Sequence, residues 1–268
     1  MIATACVVLA TFNEAENIRI LVPKIFQEAG EIRTHALHIV VVDDNSPDGT
    51  AEAVRELTNA HRNLHLLVGE KKGLGEACKR GIAYAIQELR ADLVIQMDAD
   101  LQHDPSLLPL FVTLSNSGFS LVIGSRFADG GATTNFPWYR KLTSRMGTYL
   151  VRLFGRLPAL SDCTSGYRCA KADLITKCNL GSLSSRGYSF YSSLLCELVR
   201  NGARIVEVPI VFGKRTYGKS KLSFRDQTEF LTNLLRLRFG QIPQGREGPP
   251  QLWNSQAVSA QSVRQRSE

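Results

Sequence analysis

Asp98 and Asp100 stand one residue apart, with the Gln102 carboxamide two residues further on, at the end of the apolar run Val94-Ile95-Gln96-Met97. An apolar run with β-branched residues that is closed by polar ones reads as a buried strand stopping at a surface. Carboxylates at the C-terminal edge of a parallel sheet lie where open α/β folds bind ligands. Their oxygens suit Mg²⁺ or Mn²⁺, hard ions that keep waters or take substrate phosphates. A plain polar strand-to-loop exit is the alternative reading, and Asp-x-Asp by itself does not separate the two.

The elements that must position these residues alternate strand and helix. Strands are predicted at Ala5–Ala10, Leu37–Val42, Leu64–Val68 and Leu93–Met97, with helices to about Ala29, from Thr50 to about Ala60, and from Lys71-Lys72-Gly73-Leu74-Gly75 to about Leu89. Repeated βα units of this length argue for a mostly parallel sheet with helices on both faces. Downstream, helices are predicted at Leu107–Ser115, Lys141–Phe154, Phe190–Asn201 and Phe224–Phe239, and strands at Leu121–Gly124 and Arg204–Phe212. Asp129 to Asn135, rich in Gly, Ala and Thr, reads as a mobile loop. Residues 1–222 form the catalytic domain in this reading, 223–240 a basic amphipathic helix, and 241–268, rich in Gln, Ser, Pro and Arg, a disordered tail.

Composition narrows the classes. A chain of 268 residues with 44% hydrophobic content can build a sizeable core. No apolar run approaches the roughly 18–20 residues of a membrane-crossing helix, and Ile2–Ala10 is too short for a signal peptide. The six cysteines show neither a C-x-x-C pair nor framework spacing, so reduced thiols in a cytoplasmic protein are expected and a zinc site is not. The formal charge of +7 is unevenly placed, with the excess base beyond Ser125, a half that could face anionic lipid or phosphorylated substrates. Nucleic acid is not an expected partner: helix-turn-helix, RNA-binding and zinc-finger signatures are missing.

Four strand ends carry polar groups: Asn13 and Glu14, Asp43 and Asp44, Asp98 to Gln102, and Arg126. In a parallel sheet these ends converge on one rim. Carboxylates of the second strand could accept hydrogen bonds from a nucleotide base or ribose, and those of the fourth could hold a metal against a diphosphate. Asp43 also reads as a buried acid satisfying loop amides, and Asp48 as a turn or capping residue before the helix at Thr50.

Ala10-Thr11-Phe12-Asn13-Glu14, Val42 through Thr50, and Asp98-Ala99-Asp100-Leu101-Gln102-His103 resemble the signatures of family 2 glycosyltransferases with the Rossmann-like GT-A fold. The likeness is greatest to dolichol-phosphate (polyprenol-phosphate) mannosyltransferases. It extends through Lys72–Gly75, Gly124–Arg126, Arg140-Lys141, Ser161–Arg168 and Arg215-x-x-Gly-Lys-Ser-Lys221. The resemblance implies that Phe12, Glu14 and Asp44 contact the donor nucleotide, with Val42 lining the base pocket. It implies that Asp98, Ala99, Asp100 and Gln102 surround the diphosphate, with Asp98, Asp100 and Gln102 at the Mg²⁺ or Mn²⁺. Arg126, Arg140 and Ser144 would receive the acceptor phosphate, and Arg215 and Lys221 would close over the donor. Asp100 and Arg215 are the expected catalytic residues.

The chain departs from that pattern. Ala10 stands where proline is usual, Phe12 where tyrosine is usual, and Tyr191 and Ser193 where Gln and Glu are typical. C-terminal transmembrane helices, optional in the family, are not seen. Phe224–Phe239 could instead dock on the cytoplasmic face of a membrane, and a separate membrane protein could serve as anchor.

The resemblance implies transfer of mannose from GDP-mannose to a polyprenyl (dolichyl) phosphate with inversion. UDP-glucose as donor, or an inactive nucleotide-binding scaffold, are the alternatives. Because a lipid phosphate is ionised near neutral pH, two arginines that position it suffice and no general base is required. A phospho-receiver module shares the acidic pair Asp43-Asp44 and an aspartate such as Asp98. That fold begins at the acidic-pair strand, however, and needs about half this length.

Overall fold

The computed structural model describes residues 2–134, 136–183, 189–214, 224–239 and 252–253. The N-terminal half is built from β1 (Ala3–Thr11), α1 (Ala15–Ala29), β2 (His35–Asp43), α2 (Thr50–Thr58), β3 (Leu64–Val68), α3 (Leu74–Gln87) and β4 (Leu93–Asp98). There follow α4 (Leu108–Asn116), β5 (Leu121–Ser125), β6 (Ala132–Thr133), α5 (Trp138–Gly155), β7 (Arg168–Lys171) and α6 (Ala172–Ile175). The remainder is α7 (Ser189–Arg200), β8 (Ile205–Pro209), β9 (Val211–Phe212), α8 (Phe224–Phe239) and β10 (Leu252–Trp253).

Among the described residues, eight strands form one sheet in the order β10-β8-β5-β7-β4-β1-β2-β3. All run parallel except β7, which pairs antiparallel with both β4 and β5. The mostly parallel α/β architecture matches the sequence expectation. Alternation along the strands sorts the core into two layers. Ala5, Val7 and Leu9 of β1 face a cluster with Ile18, Leu21 and Ile25 of α1 and Phe111 of α4. Cys6 and Val8 face the opposite cluster, with Ile82 of α3, Leu194 and Leu198 of α7 and Leu234 of α8. Each fully buried Leu or Ile contributes about 1.5–3 kcal/mol, so this layering fixes which strand ends share a rim.

Gly81 sets how closely α3 lies on the sheet. A Cβ there would sit 2.4 Å from Val8 Cγ1 and 2.9 Å from Val42 Cγ2, so any side chain would push the helix off β1 and β2.

Five local features differ from the sequence expectation. Strand β7 was not foreseen, because Arg168-Cys-Ala-Lys171 is short and opens on a cation. Buried Arg168 is accommodated by donating from Nη1 to the Tyr191 carbonyl at 2.5 Å and from Nη2 to the Cys163 carbonyl at 2.8 Å. The single strand expected over Arg204–Phe212 is divided at Ile210 into β8 in the main sheet and β9 beside β6. The segment expected as a mobile loop therefore carries β6, with Asn135 outside the described residues. Helix α5 begins at Trp138, directly after Pro137, whose fixed φ and missing N–H suit a helix start. In the Pro- and Gln-rich tail, Leu252–Trp253 pairs parallel with β8. The rest of 241–268 lies outside the described residues.

Candidate active site at the strand-end rim

Register brings the expected site residues to one edge. Ala10 pairs with Asp98 across β1 and β4, and Thr11 pairs with Asp43 across β1 and β2. With strands about 4.8 Å apart, Asp98 and Asp43 are separated by two strand spacings. The chain leaves each of these strands through a left-handed residue: Asn13 at φ 56°, Asn45 at φ 55° and Leu101 at φ 65°. For Leu this conformation costs about 1 kcal/mol. Strain of that kind concentrates where a loop is held in one shape for function.

Asp100 is buried, and its Oδ1 accepts the Gln102 backbone N–H at 3.2 Å. Asp98 keeps part of its side chain open, and the Tyr191 hydroxyl donates to its Oδ1 at 3.3 Å. The backbone N–H of Asp98 donates to His103 Nδ1 at 3.1 Å. His103 Nε2 lies 3.9 Å from Asp98 Oδ2. Burial pushes the imidazole down to about 4, so the ring is neutral near pH 7 and orients the turn without forming an ion pair. Among the described residues no three His, Cys, Asp or Glu side chains form a metal cage. The donor chemistry of two carboxylates at an open rim fits Mg²⁺ or Mn²⁺, which keep waters and take substrate phosphates.

Gln102, expected at the metal, is hydrogen-bonded to Gly213. Its Nε2 donates to the Gly213 carbonyl at 2.8 Å, while the Gln102 backbone carbonyl accepts the Gly213 N–H at 2.9 Å. The carboxamide N–H is thus turned to the start of the cationic segment. Arg215 and Lys221 lie outside the described residues. Ala99 is buried between the two aspartates.

Among the residues expected at the nucleotide, Phe12 is half-buried with Lys71 Nζ 3.4 Å above its ring. Glu14 accepts from Asn17 Nδ2 at 2.6 Å. Asp44 Oδ1 accepts from Arg80 Nη2 at 2.6 Å; burial pushes its carboxyl up, with Arg80 pulling against that shift. Val42, expected to line the base pocket, is fully buried in the α3-facing core. Asp43 is the buried acid that the sequence suggested, accepting from Ser46 N at 2.9 Å and Thr11 Oγ1 at 3.0 Å. Asp48 likewise caps, accepting from Thr50 N and Ala15 N, both at 3.1 Å.

Among the residues expected at the acceptor phosphate, Arg126 grips Asp162 in a fork, Nε to Oδ2 at 2.6 Å and Nη2 to Oδ1 at 2.8 Å, and also donates to Thr164 Oγ1 at 2.6 Å. Burial raises the Asp162 carboxyl, but the Arg126 charge and hydrogen bonds outweigh it and hold the group below the usual carboxylate range. Glu207 supports the same loop by accepting the N–H groups of Ser161 and Asp162. A Cβ on Gly147 of α5 would lie 3.4 Å from Thr164 Cγ2, so the helix bearing Arg140 and Ser144 packs against this loop. The Arg140 guanidinium lies 4.6 Å from the Phe136 ring centre, and Ser144 is half-buried. Sequence reasoning missed Asp162 and Tyr191 as partners of the expected residues; a buried acid following a serine gave no separate signal.

The same architecture occurs in glucosyl-3-phosphoglycerate synthase from Mycobacterium tuberculosis. Its complex with Mn²⁺, uridine diphosphate and glucosyl-3-phosphoglycerate superposes with a TM-score of 0.61 at 19% identity, over 88% of this chain and 80% of that one. Its complex with Mg²⁺ and uridine diphosphate gives 0.62 at 20% identity, over 88% and 79%. At this identity the likeness is one of fold. A mostly parallel sheet of this topology with paired carboxylates at the β4 rim defines a glycosyltransferase of the GT-A type. The chain belongs to glycosyl transferase family 2, whose pattern matches residues 6–176.

Three relatives extend the match. Polyprenol monophosphomannose synthase of Mycolicibacterium smegmatis is 35% identical over 220 residues, 81% of this chain and 80% of that protein. Undecaprenyl-phosphate mannosyltransferase of Micrococcus luteus is 34% identical over 230 residues, 85% and 91%. Dolichol-phosphate mannosyltransferase of Pyrococcus furiosus is 32% identical over 234 residues, 86% of this chain and 62% of that protein.

Proposed function

We propose that this glycosyltransferase moves mannose, from GDP-mannose, to a polyprenyl phosphate at a membrane surface, with inversion at the anomeric carbon. The observation that carries the reading is the set of three relatives, each named for a mannosylated or mannose-accepting polyprenyl phosphate and each aligned over at least 81% of the chain. Among the described residues no helix is long and apolar enough to cross a membrane. In this reading the lipid acceptor is met at the membrane face, by peripheral association or through an anchoring protein.

Sugar transfer builds negative charge on the departing diphosphate. Mg²⁺ or Mn²⁺ held by Asp98 and Asp100 would supply compensating charge there. Phe12, Glu14 and Asp44 hold the nucleoside end, with Asp44 kept in place by Arg80. Arg215 and Lys221 act as closing cations over the diphosphate and exclude water that would hydrolyse the donor. The acceptor phosphate is its own nucleophile, so Arg126, Arg140 and Ser144 need only place one of its oxygens in line with the anomeric carbon. The Asp162 fork holds Arg126 rigid for that task.

Incubating the purified chain and Mn²⁺ with labelled GDP-mannose or UDP-glucose, each with a polyprenyl phosphate, tests the reading. Mannosyl lipid from GDP-mannose alone is the expected product. Glucosyl lipid from UDP-glucose would reassign the donor, and no turnover of either would leave a nucleotide-binding scaffold.

A further inference from the structure

Strand β3 stands at one end of the main sheet and pairs, among the described residues, with β2 alone. Register decides which of its backbone groups face outward. The Ile39 N–H donates to the Asn63 carbonyl at 2.9 Å and the Gly69 N–H to the Asp43 carbonyl at 3.0 Å. Odd-numbered residues of this strand therefore turn their N–H and C=O groups to β2, while Leu64, Leu66 and Val68 turn theirs to the free edge. The Leu64 N–H is taken by the His61 carbonyl at 3.1 Å. Its carbonyl and both groups of Leu66 and Val68 are left to water or to another strand.

An edge of this kind is ordinarily guarded by charge, proline or a bulge. Leu-His-Leu-Leu-Val carries neither charge nor proline. Its histidine is hydrogen-bonded to His38 at 3.0 Å, and burial lowers both imidazoles, so the pair is neutral near pH 7. Leu64 and Leu66 pack on the α1-facing core, and Val68 is 48% exposed. The edge is apolar, uncharged and open.

Charge identifies its occupant. Arg62 and Glu70, both exposed, flank the strand symmetrically about Leu66. When two β3 strands run antiparallel with Leu66 opposite its own copy, Val68 meets Leu64 and Arg62 meets Glu70 of the second chain, at both ends. The same register matches outward groups to outward groups. The two Leu66 residues exchange both hydrogen bonds, and each Val68 N–H reaches the other Leu64 carbonyl. A slip of two residues keeps that parity but carries Arg62 away from Glu70. A pattern complementary to itself is what a two-fold contact requires.

We infer that β3 is the surface on which two copies of this chain pair, edge to edge, about a two-fold axis at Leu66. A strand of five residues buries little area, so the contact belongs to the weak, concentration-dependent class. It borders the residues expected at the nucleotide. Arg80 donates to the Glu70 carbonyl at 3.4 Å and to Asp44 at 2.6 Å, and Lys71 lies over Phe12. Within one chain Glu70 is bridged to Lys72 at 3.1 Å. Transfer of Glu70 to the second copy's Arg62 stiffens the segment that carries Lys71.

The test is sedimentation equilibrium of the full-length chain at low salt over a concentration series. It compares the wild type with Arg62→Glu, with Glu70→Arg, and with an equimolar mixture of the two variants. The wild type is expected to dimerise as concentration rises, and amide exchange over residues 64–70 to slow with it. Each variant alone sets like charges opposite one another at both ends, and should raise the dimer dissociation constant at least about tenfold. In the mixture every charge meets its opposite, so heterodimers should form with wild-type affinity. Both positions are exposed, and unchanged circular dichroism shows that the variants fold. A wild type that stays monomeric up to its solubility limit would overturn the inference, as would single variants that mixing does not rescue. So would a dimer that neither variant weakens, which would move the contact to another surface such as the exposed apolar row of α5.

Discussion

The Tyr191 hydroxyl on α7 lies 3.3 Å from Oδ1 of Asp98 at the end of β4. Gly166 makes room for the approach: a Cβ there would stand 3.1 Å from both the Asp98 oxygen and the Tyr191 ring. The Cys78 sulfur lies 3.9 Å from the same hydroxyl. A tyrosine at a position where related enzymes typically have glutamine thus reaches one of the two rim carboxylates from the core.

Removing that hydroxyl tests its role in orienting Asp98. Tyr191→Phe is expected to weaken Mn²⁺ binding in the presence of GDP by about tenfold, as for loss of a hydrogen bond to a charged group. Tyr191→Gln should recover part of the affinity. Electron paramagnetic resonance of free Mn²⁺ measures this without turnover. Unchanged binding by Tyr191→Phe would reduce Tyr191 to a packing residue.

Asp100→Ala is expected to lower turnover at least about 10²-fold, because the departing diphosphate loses charge compensation. The check is initial-rate kinetics across a Mn²⁺ titration. Wild-type turnover by this variant in excess chelator would remove Asp100 from the chemistry.

Gln102 and Gly213 exchange two hydrogen bonds, which ties the carboxylate turn to the base of the cationic segment. Gln102→Ala should leave Mn²⁺ affinity within about twofold while speeding amide exchange over residues 213–222, since a buried hydrogen bond worth about 1 kcal/mol is lost. Donor nucleotide with metal should slow exchange over the same residues in the wild type. A large fall in metal affinity for Gln102→Ala would return this side chain to the metal.

Arg126 and Asp162 form a pair with almost no exposed surface. Arg126→Ala leaves a buried carboxylate uncompensated and is expected to cost about 3–5 kcal/mol, read as a lower urea midpoint. Arg140→Ala, at a half-buried helix position, should leave the midpoint unchanged while raising KM for the lipid phosphate. The Asp162 carboxyl titrates below its unfolded value, so the unfolded state binds the proton first as acid is added. Its contribution is complete above the ordinary Asp pKa of about 3.9. It is lost as the pH falls through the lower folded value. Urea unfolding of wild type and Asp162→Asn between neutral and acid pH should show that extra acid slope in the wild type alone.

Much of the fold was legible because βα alternation is written in local hydrophobic periods. The strands from β1 to β5 and the helices between them follow from runs that any surrounding structure would have to bury. The Asp98–Asp100 pair was legible for the same reason, since a strand that ends in carboxylates carries its own position on the rim. Asp43 and Asp48 were likewise readable as loop-satisfying acids from the turn residues beside them.

What the sequence by itself determined is therefore the type of sheet, the polar strand ends, and the family to which they belong. Tertiary structure alone decided the partners. Register placed Ala10 opposite Asp98, and the reversed strand β7 was inserted between β4 and β5. Long-range packing set Tyr191 on Asp98, Asp162 on Arg126 and Gly213 on Gln102, residues 93, 36 and 111 positions apart. It also buried Val42 in the α3-facing core and left one apolar row of α5 uncovered. The physical reason is that hydrophobic period is a property of a few neighbouring residues, whereas hydrogen-bond partners and burial depend on which distant segments the packed core brings within reach.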